Sequence, residues 1–179
     1  MAQDLIRLDD HHGAAAQGTA GQYLSFHTKG ERFALPIAQV REIIEYPRVT
    51  PVPMVPDHIL GIINLRGQGV PVIDLACRFG RGATAIGKRT CIIVLDLPTS
   101  MGALRLGLAV DAVDAVFQLD AADVEPAPQL GAGMRTDFLA GMLRGEQGFT
   151  LLLALAQLLS VAELQQLKHT PEDWPSDDE

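Results

Sequence analysis

Period two dominates the hydrophobic pattern. Leu24 and Phe26 alternate with Ser25 and His27. Phe33, Leu35 and Ile37 alternate with Arg32 and Ala34, and Leu104, Leu106, Leu108 and Val110 with Arg105, Gly107 and Asp111. Successive side chains of a strand point to opposite faces, so each run predicts a half-buried β-strand. Thr90 to Leu97 breaks the alternation, because Cys91, Ile93 and Leu95 are interleaved with Ile92 and Val94. A strand apolar on both sides is expected to be covered on both sides. Lys29-Gly30 and the Gly145–Gly148 stretch are turn signals between strand pairs. Short, evenly spaced strands predict a sandwich or small barrels.

Helical signals come late. Ser160 and Glu163 make a capping box, in which each side chain satisfies an amide that the first turn leaves open. Val161, Leu164 and Leu167 then share one face of a short helix, with another turn or two expected over Ala154–Leu159. Residues 1–20 lack periodicity and hold the low-complexity stretch Gly13–Ala20, which reads as a mobile tail. Residues 169–179 read as a second, acidic tail carrying Trp174. The folded unit is expected over 21–168.

A repeat is visible inside it. Arg32–Ile44 aligns without gaps on Arg105–Phe117, 73 residues later, with apolar 33, 35, 37, 40, 43 and 44 meeting 106, 108, 110, 113, 116 and 117. Leu60–Ile63 before Arg66-Gly67 resembles Leu139–Leu143 before Arg144-Gly145. Each is followed by an apolar strand, Val70–Leu75 and Phe149–Leu153. Two similar β units side by side are expected.

Composition fits this picture and narrows the function. The 179 residues are 47% hydrophobic and 20% charged, ordinary globular usage that excludes wholesale disorder. The net charge of −8 divides as −2 over residues 1–21, −5 over 169–179 and −1 over the body. Nothing resembles the basic surplus of a nucleic-acid binder. No apolar run reaches the 18 or so residues of a membrane helix, so no direct membrane insertion is expected. Met1–Asp10 carries three acids and no basic leader, unlike a signal peptide. Cys77 and Cys91 sit in apolar stretches without metal-type spacing and fit buried thiols of a reducing cytosol.

The search for chemistry is brief. His11, His12, His27 and His58 occupy unlike contexts with no partner motif, so no metal site is expected. Gly67-Gln-Gly69 lacks the third glycine of a dinucleotide fingerprint and precedes a strand, while Gly87-Lys88 is followed by Arg89 and makes no phosphate loop. The chain is expected to be neither an enzyme nor a cofactor protein. Gly61–Leu75 stands out instead as a polar and glycine-bearing block in apolar surroundings. It predicts two strands around a tight turn: Asn64 tolerates unusual backbone angles, Gly67 or Gly69 permits positive φ, and Arg66 is displayed near the tip. Asp74 is expected to meet Arg66 or a backbone amide. On residues alone, the block is either a hairpin with a solvated Arg or a recognition element.

Asn64-Leu65-Arg66-Gly67 followed by Pro71-Val72-Ile73-Asp74-Leu75 resembles the hallmark of the chemotaxis coupling protein (CheW-like) family. Val49–Pro53 leading into Pro56–Gly61 resembles the family's proline-bearing approach to that motif, and Val40-Arg41-Glu42-Ile43 its early segment. The resemblance spans about residues 21–168. Gly69 stands where the family usually has an apolar residue, which would loosen the hairpin, and the acidic tail lies outside the pattern.

The resemblance implies a mainly β fold of two SH3-like five-stranded barrels packed together, with short C-terminal helices. It implies a cytoplasmic, non-enzymatic adaptor without cofactors, recruited to membrane-associated receptor arrays. Its partners would be the cytoplasmic tips of methyl-accepting chemoreceptors, the regulatory domain of the histidine kinase CheA, and other coupling-protein copies. Asn64, Leu65 and Arg66 would face receptor; Val40, Glu42 and Ile43 would belong to a cleft surface. Gly61 and Gly67 would sit where a side chain disturbs backbone or partner approach. The alternatives are a module of another chemosensory pathway, such as surface motility, a coupling module of a larger signalling protein, and a small-ligand-binding barrel.

Overall fold

The computed structural model describes residues 21–99, 102–127, 138–146 and 148–155. Within them the chain runs β1 (Gly21–Thr28), β2 (Glu31–Pro36), β3 (Val40–Glu45), β4 (Ile59–Leu65), β5 (Gln68–Asp74), the one-turn helix α1 (Leu75–Arg78), β6 (Cys91–Thr99), β7 (Gly102–Val110), β8 (Ala112–Leu119), β9 (Val124–Glu125), β10 (Leu139–Gly145) and β11 (Gly148–Leu153). Of the helical stretch expected over 154–168 only Ala154 and Leu155 are described; residues 156–168 and both tails lie outside the described residues.

Two sheets form, ordered β8-β1-β2-β11-β10-β9 and β3-β6-β7-β5-β4. Each has one parallel contact, β2 with β11 and β5 with β7, and is otherwise antiparallel. The two orders superimpose when β1, β2, β8, β11 and β10 are matched to β6, β7, β3, β5 and β4. The duplication seen in the sequence is therefore structural. The units do not lie side by side, however. Each sheet takes the first hairpin of one unit and the last strands of the other, and the chain crosses between sheets at residues 37–39 and 111.

The irregularities repeat as well. A bulge interrupts β3–β6 at Arg41, between Val40 and Glu42, and another interrupts β1–β8 at Asp114, between Val113 and Ala115. Arg41 and Asp114 are 73 residues apart, the repeat spacing. A bulge turns its extra side chain back along the sheet, and each of these two meets the neighbouring strand. Arg41 Nη1 lies 3.2 Å from Asp96 Oδ2, and Asp96 Oδ1 also takes Arg105 Nε at 2.9 Å. In the other sheet Asp114 Oδ2 lies 2.6 Å from His27 Nδ1 and 3.8 Å from Arg32 Nε. The same three positions carry an acid between two basic groups, with the acid moved from strand to bulge.

Three apolar clusters hold the fold. The shared one lies between the sheets and joins Leu24, Phe26, Phe33 and Leu35 to Ile73, Ile93, Leu95, Leu106 and Leu108. A ring series, Phe26–Phe33–Phe79–Phe138, runs through it at centroid spacings of 5.8, 5.4 and 5.4 Å. Two private clusters fill the hollow of each curled sheet: Ile63, Val70, Val72, Ile92 and Val94 in one, Tyr23, Ala34, Leu119 and Leu152 in the other. β6 feeds both the shared cluster and a private one, so both its faces are covered, as its composition requires. The same holds for β1, where the sequence predicts one polar face. Ser25 is buried there and its hydroxyl donates to the Ala115 carbonyl at 3.2 Å, which offsets its desolvation. The fold is mainly β, two small SH3-like barrels sharing a core.

Candidate functional site

Leu65 and Gln68 form the closing pair of the β4–β5 hairpin, leaving Arg66-Gly67 as a two-residue turn. Their φ angles are 52° and 84°. Positive φ at both central residues is the type I′ geometry, whose twist matches that of paired strands. Gly67 is required by its angle and not by space, since a Cβ there would meet nothing within 4 Å. Arg66 holds a left-handed conformation that costs an ordinary residue about 1 kcal/mol. Asn64 does not take the unusual backbone angle expected of it. Its side chain braces the turn instead, Oδ1 accepting the Gly67 amide at 2.9 Å. Gly69 does not loosen the hairpin: the ladder is continuous through Asn64–Gly69, and a Cβ there would press to 3.2 Å on Ile62 Cγ2.

The Arg66 guanidinium reaches Glu42 of β3 with both prongs, Nη1 to Oε2 at 2.5 Å and Nη2 to Oε1 at 2.9 Å. The Arg66 side chain is 70% exposed and that of Glu42 only 15%. Hydrogen bonding to Arg66 holds the Glu42 carboxyl below its ordinary value against a smaller effect of burial, with Arg41 and Arg105 adding to the positive surroundings. Two segments singled out by sequence thus converge on one surface. Asp74 is not the partner of Arg66. It is buried, caps α1 through the Cys77 amide at 3.4 Å, and accepts the Thr84 amide and hydroxyl at 2.8 and 2.6 Å.

The other predicted residues divide by depth. Ile43 and Leu65 are half-buried, packed against the shared cluster and a private cluster respectively. Val40 is a core residue, 4% exposed. Gly61 is buried at φ 149°, and a Cβ would stand 2.0 Å from the Thr50 carbonyl oxygen. That carbonyl accepts the Ile62 amide at 2.8 Å and the Thr50 amide donates back at 2.9 Å, so the proline-bearing loop docks on the hairpin where Gly61 leaves room. Sequence reasoning missed Gln68, which accepts from Arg105 Nη1 at 2.8 Å, and the Arg41–Asp96–Arg105 cluster that continues the polar surface. Asp96 was the available signal, as an acid within the most apolar strand.

Among the described residues, no three His, Cys, Asp or Glu side chains are grouped to hold a metal ion. Cys77 and Cys91 are free and half-buried, and burial pushes the Cys91 thiol up to about 11, away from thiolate chemistry. A cavity of about 670 Å³ lies away from the hairpin, lined by His27, Arg32, Glu146 and Phe149 among others. No described helix is long and apolar enough to cross a membrane.

Two interwoven barrels presenting a braced, salt-linked Arg hairpin define a binding module of the SH3-like class. Residues 22–163 match the model of the CheW-like domain, and the chain belongs to that family. It is 34% identical over 147 residues to the chemotaxis protein CheW of Klebsiella aerogenes, covering 82% of this chain and 86% of that one. It is 30% identical to protein FrzA of Myxococcus xanthus, over 83% of this chain and 91% of that one. The crystal structure of the scaffolding protein TtCheW from Thermoanaerobacter tengcongensis superimposes with a TM-score of 0.70 at 32% identity, over 80% of this chain and 95% of that one.

Proposed function

We propose that the protein is a non-enzymatic adaptor that couples the cytoplasmic tips of chemoreceptors to the regulatory domain of the histidine kinase CheA in a chemosensory array. The observation that carries this reading is the Arg66–Glu42 fork, which holds an exposed guanidinium on a rigid hairpin tip of a CheW-like fold. A planar guanidinium suits forked contacts with carboxylate or carbonyl groups, which Lys does not reproduce. Asn64, Leu65, Arg66 and Gly67 offer the receptor-facing tip, and Glu42 and Ile43 extend it across β3. Val40 and Gly61 shape this surface from beneath. The adaptor is cytoplasmic and joins the membrane through its receptors.

The test is co-sedimentation of receptor, kinase and adaptor. Arg66→Glu is expected to lower apparent affinity about thirty-fold while circular dichroism stays unchanged, since reversing a charge at a partly desolvated contact acts on binding more than on folding. Arg66→Lys loses part of this, and Arg48→Glu, a reversal outside the hairpin, loses little. The charge swap Glu42→Arg with Arg66→Glu separates two roles. If the swap restores assembly, the pair is an internal brace and Arg66 does not contact a partner. Two similar proteins, FrzA and, at 29% identity, PilI of Pseudomonas aeruginosa, are not named for chemotaxis, which favours as a second reading the same coupling role serving a different output. Deleting the gene and scoring swimming against surface movement decides between them.

A further inference from the structure

Most described arginines are held by a carboxylate, as Arg32, Arg81 and Arg144 are by Asp114, Glu31 and Glu125. Lys29, Lys88 and Arg89 differ. Among the described residues their side chains have no anionic partner, and all three line one cleft of about 370 Å³. The cleft lies between the β1–β2 turn and the segment entering β6, with Ala85 and the aliphatic stems of the cations as apolar walls. Asp111 is its one carboxylate, and Asp111 Oδ2 is already engaged by the Lys29 amide at 2.8 Å. The cleft is therefore net positive in a chain of net charge −8.

Its walls are preorganised. Buried Asp74 pins Thr84 at one end of the segment. At the other end Thr90 Oγ1 accepts the Gly87 amide at 2.7 Å and donates to the Ala85 carbonyl at 3.3 Å. The backbone that carries Lys88 and Arg89 is thus braced on both sides before any ligand arrives.

The sequence holds a matching occupant. Residues 169–179 carry Glu172, Asp173, Asp177, Asp178 and Glu179 around Trp174, with no Lys or Arg. Trp gives the strongest cation–π partner for Lys and Arg, and its ring suits an apolar slot rimmed by cations. Sixteen residues lie between Leu155 and Glu172; with helix expected up to Lys168 and extended chain after it, their reach is about 33 Å. A domain of this size has a radius of gyration of about 15 Å, so that reach is comparable to the width of the molecule.

We propose that residues 172–179 dock in cis on the Lys29–Lys88–Arg89 cleft, with Trp174 in the slot and the flanking acids on the cations. Tethering supplies an effective concentration near millimolar, enough for a weak contact to be occupied. Because the rim is exposed, salt releases the tail. A partner presenting its own acidic and aromatic segment competes for the same cleft. This contact is independent of the coupling role and stands or falls separately.

Trp174 is the only Trp of the chain, so emission from the full-length protein reports the tail alone. The measurement is quenching by acrylamide, a neutral quencher indifferent to the surrounding acids, in low salt and in about 0.5 M NaCl. We expect at least about twofold protection in low salt, lost in high salt. Lys88→Glu with Arg89→Glu should abolish the protection in low salt, and Asp177→Lys with Asp178→Lys in that background should restore it. Equal quenching of wild type across salt and across the charge reversal overturns the proposal. Protection that disappears on dilution also overturns it, because the tail would then sit on a second copy.

Discussion

Arg66 and Glu42 join opposite edges of one sheet. Glu42 stands on β3 and Arg66 at the end of β4, the two outer strands of the order β3-β6-β7-β5-β4. In a flat sheet four inter-strand gaps of about 4.8 Å would hold those edges about 19 Å apart. The fork at 2.5 and 2.9 Å therefore marks where the sheet curls into a barrel and meets itself. An exposed pair adds little stability, and the Ile63, Val70, Val72, Ile92 and Val94 cluster inside supplies the drive to curl. What the fork does is fix the direction of the guanidinium on a turn tip that would otherwise leave it free.

This clasp has a pH signature. Glu42 has a lowered carboxyl pKa, first because of its hydrogen bond to Arg66. A depressed folded-state pKa contributes stability that is present above the unfolded value, about 4.3, and is lost as pH falls through the lower folded value. Arg66→Ala should raise the Glu42 midpoint in a carboxyl-carbon NMR titration. Stabilities of wild type and variant should differ near neutrality and converge below the folded-state midpoint. An unmoved Glu42 midpoint would show that the fork is not populated in solution.

Two glycines of the same hairpin should respond differently to alanine. At Gly61 the added methyl would stand 2.0 Å from a backbone oxygen, and the Thr50–Ile62 bridge would have to open. Gly61→Ala should cost about 3 kcal/mol or more, as overpacking at a backbone contact with lost hydrogen bonds does. At Gly67 space is open and only the angle of 84° is unfavourable, so Gly67→Ala should cost about 1 to 2 kcal/mol. Urea denaturation of both variants checks this, and equal losses would mean that the loop does not lie on the hairpin.

Strand positions and faces were legible because alternation is a local property. Leu104–Val110 and Cys91–Leu97 fall on β7 and β6 with their apolar faces where the pattern puts them. The repeat was legible too, down to the spacing between Arg41 and Asp114. Strand partners were not. β2 pairs with β11 more than a hundred residues later, and periodicity says which face is apolar, not which strand lies alongside. The strand exchange between units was invisible for the same reason. Glu42 and Arg66 were each found through family resemblance, but their contact depends on closure of the barrel. Asn64 and Asp74 were read as polar residues near a turn; which amides they accept is set by turn and helix geometry.

Leu108 tests the shared core. It is fully buried between the sheets and belongs to β7, in contact with β5 and β6. Leu108→Ala should cost about 2 to 5 kcal/mol, the range for a buried Leu whose cavity relaxes incompletely. Chemical denaturation with an unchanged slope is the measurement. A loss below about 1 kcal/mol would put residue 108 outside the core.

Asp74 ties the fold to the segment before β6 and makes the sharpest demand. It is 1% exposed and accepts three hydrogen bonds, one from α1 and two from Thr84. Removing an acceptor leaves buried donors unsatisfied, at about 1 to 3 kcal/mol for each. Asp74→Ala should therefore lose about 3 kcal/mol or more. Asp74→Asn keeps one oxygen and should lose less. Thr84→Val deletes only the hydroxyl, which bonds to Asp74 at 2.6 Å. In a double-mutant cycle Asp74→Ala and Thr84→Val should be strongly non-additive, since each removes the same bond. Amide exchange at Thr84 should accelerate in Asp74→Ala while amides of β6 remain protected, because the lost contacts pin the segment and not the strand. Additive losses, or a Thr84 amide as slow as in wild type, would show that Asp74 does not hold this segment.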